Sequence, residues 1–145
     1  MYYWVEKFIE EHRESVHMHT GEYIDHNDID DMQYSCDMVF GPELRHYLLT
    51  YGYLECGSVK LAGTEKSFGE INSDMAKLTK VLNGICDGRT DGFAVIEHVG
   101  NTWTLVGSND MIYTYELNTD IIKGLGVDVE DWMPSVLAQG LLYQK

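Results

Sequence analysis

Apolar residues recur at helical spacing over residues 2–14, where Tyr2, Val5, Phe8 and Ile9 fall on one side and Glu6, Lys7, Glu10, Glu11 and Arg13 lie between them. The pattern predicts an amphipathic surface helix ending near Ser15. From Val16 to Ile24 the period is lost and Thr20-Gly21 marks a turn, so this stretch reads as a loop. A second helix is expected after Asn27, whose side chain can cap it. Asp28, Asp30 and Asp31 then occupy its first turn, where carboxylates favour the helix dipole, and Ile29, Met32 and Cys36 form its apolar face. Gly41-Pro42 opens a third helix, because proline is tolerated in a first turn. Leu44, Tyr47, Leu48 and Tyr51 share its inner face, and Gly52 stops it.

Beyond Tyr53 the elements shorten. Leu54 to Cys56 and Val59 to Leu61 read as strands around Gly57, and Asn72 to Ile85 as a helix with Met75, Leu78, Val81, Leu82 and Ile85 inward. Phe93 to Val99, Thr102 to Val106 and Met111 to Leu117 are β-branched and aromatic runs separated by Gly100-Asn101 and Gly107-Ser108-Asn109-Asp110, the pattern of an antiparallel meander. Strand alternation sends Met111, Tyr113, Tyr115 and Leu117 to one face and Ile112, Thr114 and Glu116 to the other, more polar one. Asp128 can cap a last helix that buries Val129, Trp132, Met133, Val136 and Leu137 and contains the awkward Pro134. Helices first, then strands with one helix between, then a closing helix predict an α+β fold: one domain over residues 1–145, its antiparallel meander packed on one face by helices.

Composition narrows what such a domain binds. The 145 residues include 24 acidic and 10 basic side chains, a formal net charge of −14. That excess repels phosphate backbones and anionic lipid, which argues against nucleic acid and membrane as partners and for a basic protein. Residues 1–40 hold ten acids against Lys7 and Arg13, and the remainder 14 acids against eight bases. No apolar run approaches the ~20 residues of a membrane span, and the start has no basic region followed by an apolar one, so a cytoplasmic location is expected.

Candidate chemistry adds little. Cys36, Cys56 and Cys86 are widely spaced with no CxxC pair, as expected of buried thiols. His12, His17, His19 and His26 lie close in sequence and, with Asp25, have ligand chemistry for zinc, but on a loop they read as solvated side chains. GxSxG, GxxxxGK[ST], GxGxxG and HExxH are all missing. Neither a metal, a cofactor nor a catalytic residue is predicted. For a binding protein, the polar face of the meander is the expected partner surface, with Thr114 and Glu116 on one strand, Thr102 and Thr104 on its neighbour, and Glu97 and Glu55 nearby. The acidic start of the second helix, Asp28, Asp30 and Asp31, is the rival surface.

The order of elements resembles the SUKH superfamily over nearly the whole chain. The likeness runs through Val5-Glu6-Lys7-Phe8-Ile9, the segment from Ile24 through Met32, and Phe40-Gly41-Pro42-Glu43-Leu44 leading to Tyr51-Gly52, similar to the family's proline-initiated helix. Leu54 to Gly63, Gly92 to Glu97, Tyr113-Thr114-Tyr115 and Asp131-Trp132 to Leu137 resemble its short strands, central sheet and closing helix. Gly41 departs from the pattern, since the family has proline directly after the apolar residue matched by Phe40. Bacterial members are largely immunity proteins of polymorphic toxin systems that act by binding. The resemblance therefore implies an immunity protein that occludes a cognate toxin, here with charge favouring a basic nuclease domain. Its eukaryotic branch suggests a regulatory protein-binding scaffold instead, and the His12 to His26 segment leaves a small metal-binding protein or enzyme as a further alternative.

Overall fold

The computed structural model describes residues 3–18, 24–64 and 74–142. Tyr2, His19, Thr20-Gly21 and the expected helix start at Asn72 lie outside the described residues. The elements run α1 (Tyr3–Glu11), β1 (Val16–Met18), α2 (His26–Cys36), α3 (Pro42–Tyr51), β2 (Leu54–Cys56), β3 (Val59–Leu61), α4 (Met75–Ile85), β4 (Phe93–Val99), β5 (Thr102–Gly107), β6 (Met111–Glu116), β7 (Ile121–Asp128) and α5 (Val129–Leu142). The class is α+β, with an antiparallel β1-β2-β3 sheet and an antiparallel β4-β5-β6-β7 meander.

Local chemistry explains most boundaries. Asp25, not Asn27, caps α2. Its carboxylate accepts from the Asp28 N–H at 3.1 Å while Asp28 accepts from the Asp25 N–H at 2.9 Å, a reciprocal capping box. The helix thus starts earlier than expected, and only Asp28 of the three aspartates sits in its first turn. Pro42 opens α3 and Gly52, at φ 74°, ends it. Asp74 caps α4 by accepting from the Lys77 N–H.

Four expectations change. Val16–Met18 is a strand, because its backbone pairs with β2 in the register Val16 to Cys56, His17 to Glu55 and Met18 to Leu54. Three residues are too few to show a period. In α4 the inward face is Met75, Leu78, Thr79 and Leu82, leaving Val81 and Ile85 exposed. Thr79 can be buried because its hydroxyl donates to the Met75 carbonyl at 2.7 Å and accepts from the Val95 N–H at 3.0 Å, fastening α4 to β4. The strand β7 was not foreseen, since its exposed sequence with Gly124 and Gly126 has little apolar alternation. Finally, the meander contributes buried residues on both faces. Cross-strand register puts Ala94, Val106 and Ile112 on one side and Val95, Leu105, Trp103 and Tyr115 on the other, all buried.

One core collects these faces. It joins Val5 and Ile9 of α1, the inner residues of α2, α3 and α4, the central strands and the Val129, Trp132, Met133, Val136 and Leu137 face of α5. The last helix packs on α1 and α3, on β2 and β3, and on β6 and β7, so it bridges the two sheets.

Candidate functional site

The sheet surface is built by a bulge. Between Val95 and Glu97 the β4–β5 register slips by one residue at Ile96, so Val95 opposes Leu105 while Glu97 opposes Thr104. Strict alternation would have put Glu97 on the face of Val95; the extra residue turns it over. The result is a cross-strand row of Glu97, Thr104, Thr114 and Lys123, followed by a second row of Val99, Thr102, Glu116 and Ile121. Five of the expected partner residues are therefore brought together on one surface. Thr104, however, is only 6% exposed and cannot offer its side chain to a partner, because the apolar half of the same face, Val106 and Ile112, is covered. Leu117, expected under helices, is exposed. Thr102 donates to Glu116 at 3.1 Å, Lys123 sets a cation in the first row, and burial raises the pKa of Glu97. This surface is polar but weakly acidic. Glu55 is not part of it: it lies on β2 of the smaller sheet, between His17 and Lys60.

The rival acids of α2 also have internal work. Asp28 completes the capping box, and Asp30 pairs with the Arg45 guanidinium at 2.9 Å. Asp31 is exposed and lines a small cleft with Asp28 and Asp74.

Two helix starts meet at a third group of carboxylates. Gly41 at the N-cap of α3 has no capping side chain, and the buried Asp110 supplies one from the β5–β6 turn. Both Asp110 oxygens accept, from the Glu43 and Leu44 N–H groups, each at 3.0 Å. Glu43 accepts in turn from the Glu130 N–H at 2.8 Å, and Asp128 from the Asp131 N–H at 2.9 Å, so α5 is capped by the same cluster. Burial, then the charges of Asp128 and Asp110 and the hydrogen bond to Asp128, push the Glu43 carboxyl up to about 7. A carboxyl whose folded pKa is raised binds its proton more tightly in the folded chain. Its contribution to stability is complete below the unfolded value and is lost as pH rises through the folded one. Wild type minus Glu43→Gln should accordingly lose stability between about pH 4.5 and pH 7, read from urea midpoints. A difference that is flat across this window, or rises with pH, refutes the raised Glu43 pKa.

A groove of about 400 Å³ lies between α1 and α5, lined by Trp4, Lys7, Phe8 and Glu11 and by Glu130, Asp131 and Pro134. Trp4 is 57% exposed, and the Lys7 ammonium stands 5.7 Å from its ring centroid. These residues were missed in the sequence. The available signal was Trp4 itself, a large aromatic lying off the Val5 and Ile9 stripe among acids.

Burial pushes the Cys36 thiol up to about 11 and raises that of Cys56, holding both protonated. His12 packs at a tilt against Phe8, and His26 takes part in the Arg45 contact. Among the described residues no three His, Cys, Asp or Glu side chains converge as metal ligands, and no helix is long and apolar enough to cross a membrane. Comparison with protein-family models and with curated proteins finds no match to this chain.

Proposed function

We propose that this chain is a SUKH-type immunity protein that binds a basic toxin domain in the cytoplasm and blocks it by covering its active site, without chemistry of its own. The carrying observation is charge. With 24 acids and 10 bases, 14 carboxylates have no internal counter-charge even if every base is paired. Arg45 and Arg89 are already engaged, with Asp30 and Asp120. A cationic partner offsets the self-repulsion of such a surface and is steered toward it. The α+β architecture and the SUKH-like order of elements support the same reading.

The test uses the polypeptide encoded beside this gene. A toxin whose C-terminal domain is basic should be neutralised on co-expression. Its association rate should fall about tenfold or more between 0.01 and 0.1 M salt, as the Debye length shrinks from about 30 to about 10 Å. Loss of protection with an intact complex would overturn occlusion, and a salt-independent rate would overturn electrostatic steering.

A further inference from the structure

Resting on that reading, we propose that the groove between α1 and α5 is the seat of an arginine-bearing extended segment of the basic partner. Two features converge there. The first is shape: about 400 Å³ is the size of a small-ligand pocket and is walled by Trp4, Phe8 and Pro134. The second is charge. Glu11, Glu130 and Asp131 line the groove against the single cation Lys7. Lys7, one turn along α1 from Trp4, already holds an ammonium 5.7 Å from the ring centroid, so the indole face is accessible to a cation.

A planar guanidinium suits this setting better than an ammonium, because it stacks on an indole while its N–H fork pairs a carboxylate. An aliphatic side chain would fill the aromatic wall but leave the acidic rim unused. A second copy of the chain would bring another −14 charges to the same rim. The other acidic surfaces are weaker seats. Lys123 stands in the sheet row, while Asp28 and Asp30 are held by the α2 cap and by Arg45.

Trp4 also provides the readout. Trp103 and Trp132 are 4% and 8% exposed, so an added solute reaches Trp4 first. The probe is a capped peptide of alternating glycine and arginine, compared with peptides carrying citrulline or norleucine in place of arginine, followed by the Trp4 indole N–H and backbone amide resonances. Saturable shifts confined to α1 and the start of α5 are expected, with at least tenfold weaker binding for citrulline. Trp4→Ala and Asp131→Lys, both at exposed positions, should each weaken the arginine peptide at least tenfold, whereas Glu97→Lys with Glu116→Lys should not. Equal binding of the norleucine peptide, shifts centred on the sheet or α2, or concentration-dependent shifts without peptide would each overturn the assignment. The toxin separates the two proposals. If Asp131→Lys binds it as wild type does, the groove is the wrong seat and the immunity reading stands. If the peptide seats in the groove but the adjacent basic toxin is not bound, the immunity reading falls and the groove stands.

Discussion

Gly140→Ala lowers stability by about 3 kcal/mol, the upper end of what overpacking a well-filled contact costs. Glycine inside a helix is ordinarily a defect of up to about 1 kcal/mol relative to alanine, so its presence in α5 asks for a reason. A Cβ at Gly140 would overlap the backbone carbonyl of Cys56 and crowd Val59, on the hairpin of β2 and β3. Neither the carbonyl nor α5 can retreat at low cost, because Val136 and Leu137 one turn earlier are locked in the core. Gly84→Ala in α4 is the matched control. A Cβ there meets nothing within 4 Å, so the same substitution should stabilise by up to about 1 kcal/mol. Opposite signs for the two changes, measured by urea unfolding, are the expected result. A stabilising Gly140→Ala would mean that α5 does not approach the hairpin this closely.

Asp110→Ala costs about 3 kcal/mol through two separable causes. Losing a capping carboxylate costs up to about 2 kcal/mol, and Asp110 caps α3 through two N–H groups at once. Its backbone also sits at φ 63°, where alanine is strained by about 1 kcal/mol or more. Asp110→Gly removes the carboxylate but not the conformational freedom, so it should cost about 1 kcal/mol less. A second mutation checks the geometry. A Cβ on Gly41 would run into the Asp110 carboxylate, so Gly41→Ala should destabilise the wild type yet be nearly neutral with Asp110→Gly. Additive effects would contradict the contact, since touching residues couple and distant ones do not.

Both predictions bear on the proposed binding groove. Glu130 and Asp131 stand on the first turn of α5, which Glu43 and Asp128 cap and which Asp110 joins through its carbonyl to the Val129 N–H at 2.9 Å. The acidic rim is therefore carried on an anchored helix start, and loosening Asp110 should weaken a partner there without removing any groove residue.

What could be read from the chain alone was what neighbours in sequence decide. Pro42 and Gly52 bound α3 because one presets a helical φ and the other accepts a positive one. The apolar stripes of α2, α3 and α5 and the strands β4 to β6 follow from periods of 3.6 and 2, the turn at Gly57 sets β2 and β3 apart, and the excess of carboxylates is plain arithmetic. Tertiary structure decided whatever depends on a distant partner. Asp110 caps a helix 67 residues away, and β1 exists only because β2 accepts its backbone bonds. Thr79 could replace Val81 in the core once Val95 offered its N–H. The bulge at Ile96 moved Glu97 to the other face of the sheet, and the approach of α1 to α5 made a groove from residues that local periodicity left on two separate helix surfaces. Spacing along the chain determines which residues share a side of a regular element, whereas bulges, burial, capping and the meeting of two surfaces depend on where the other element is.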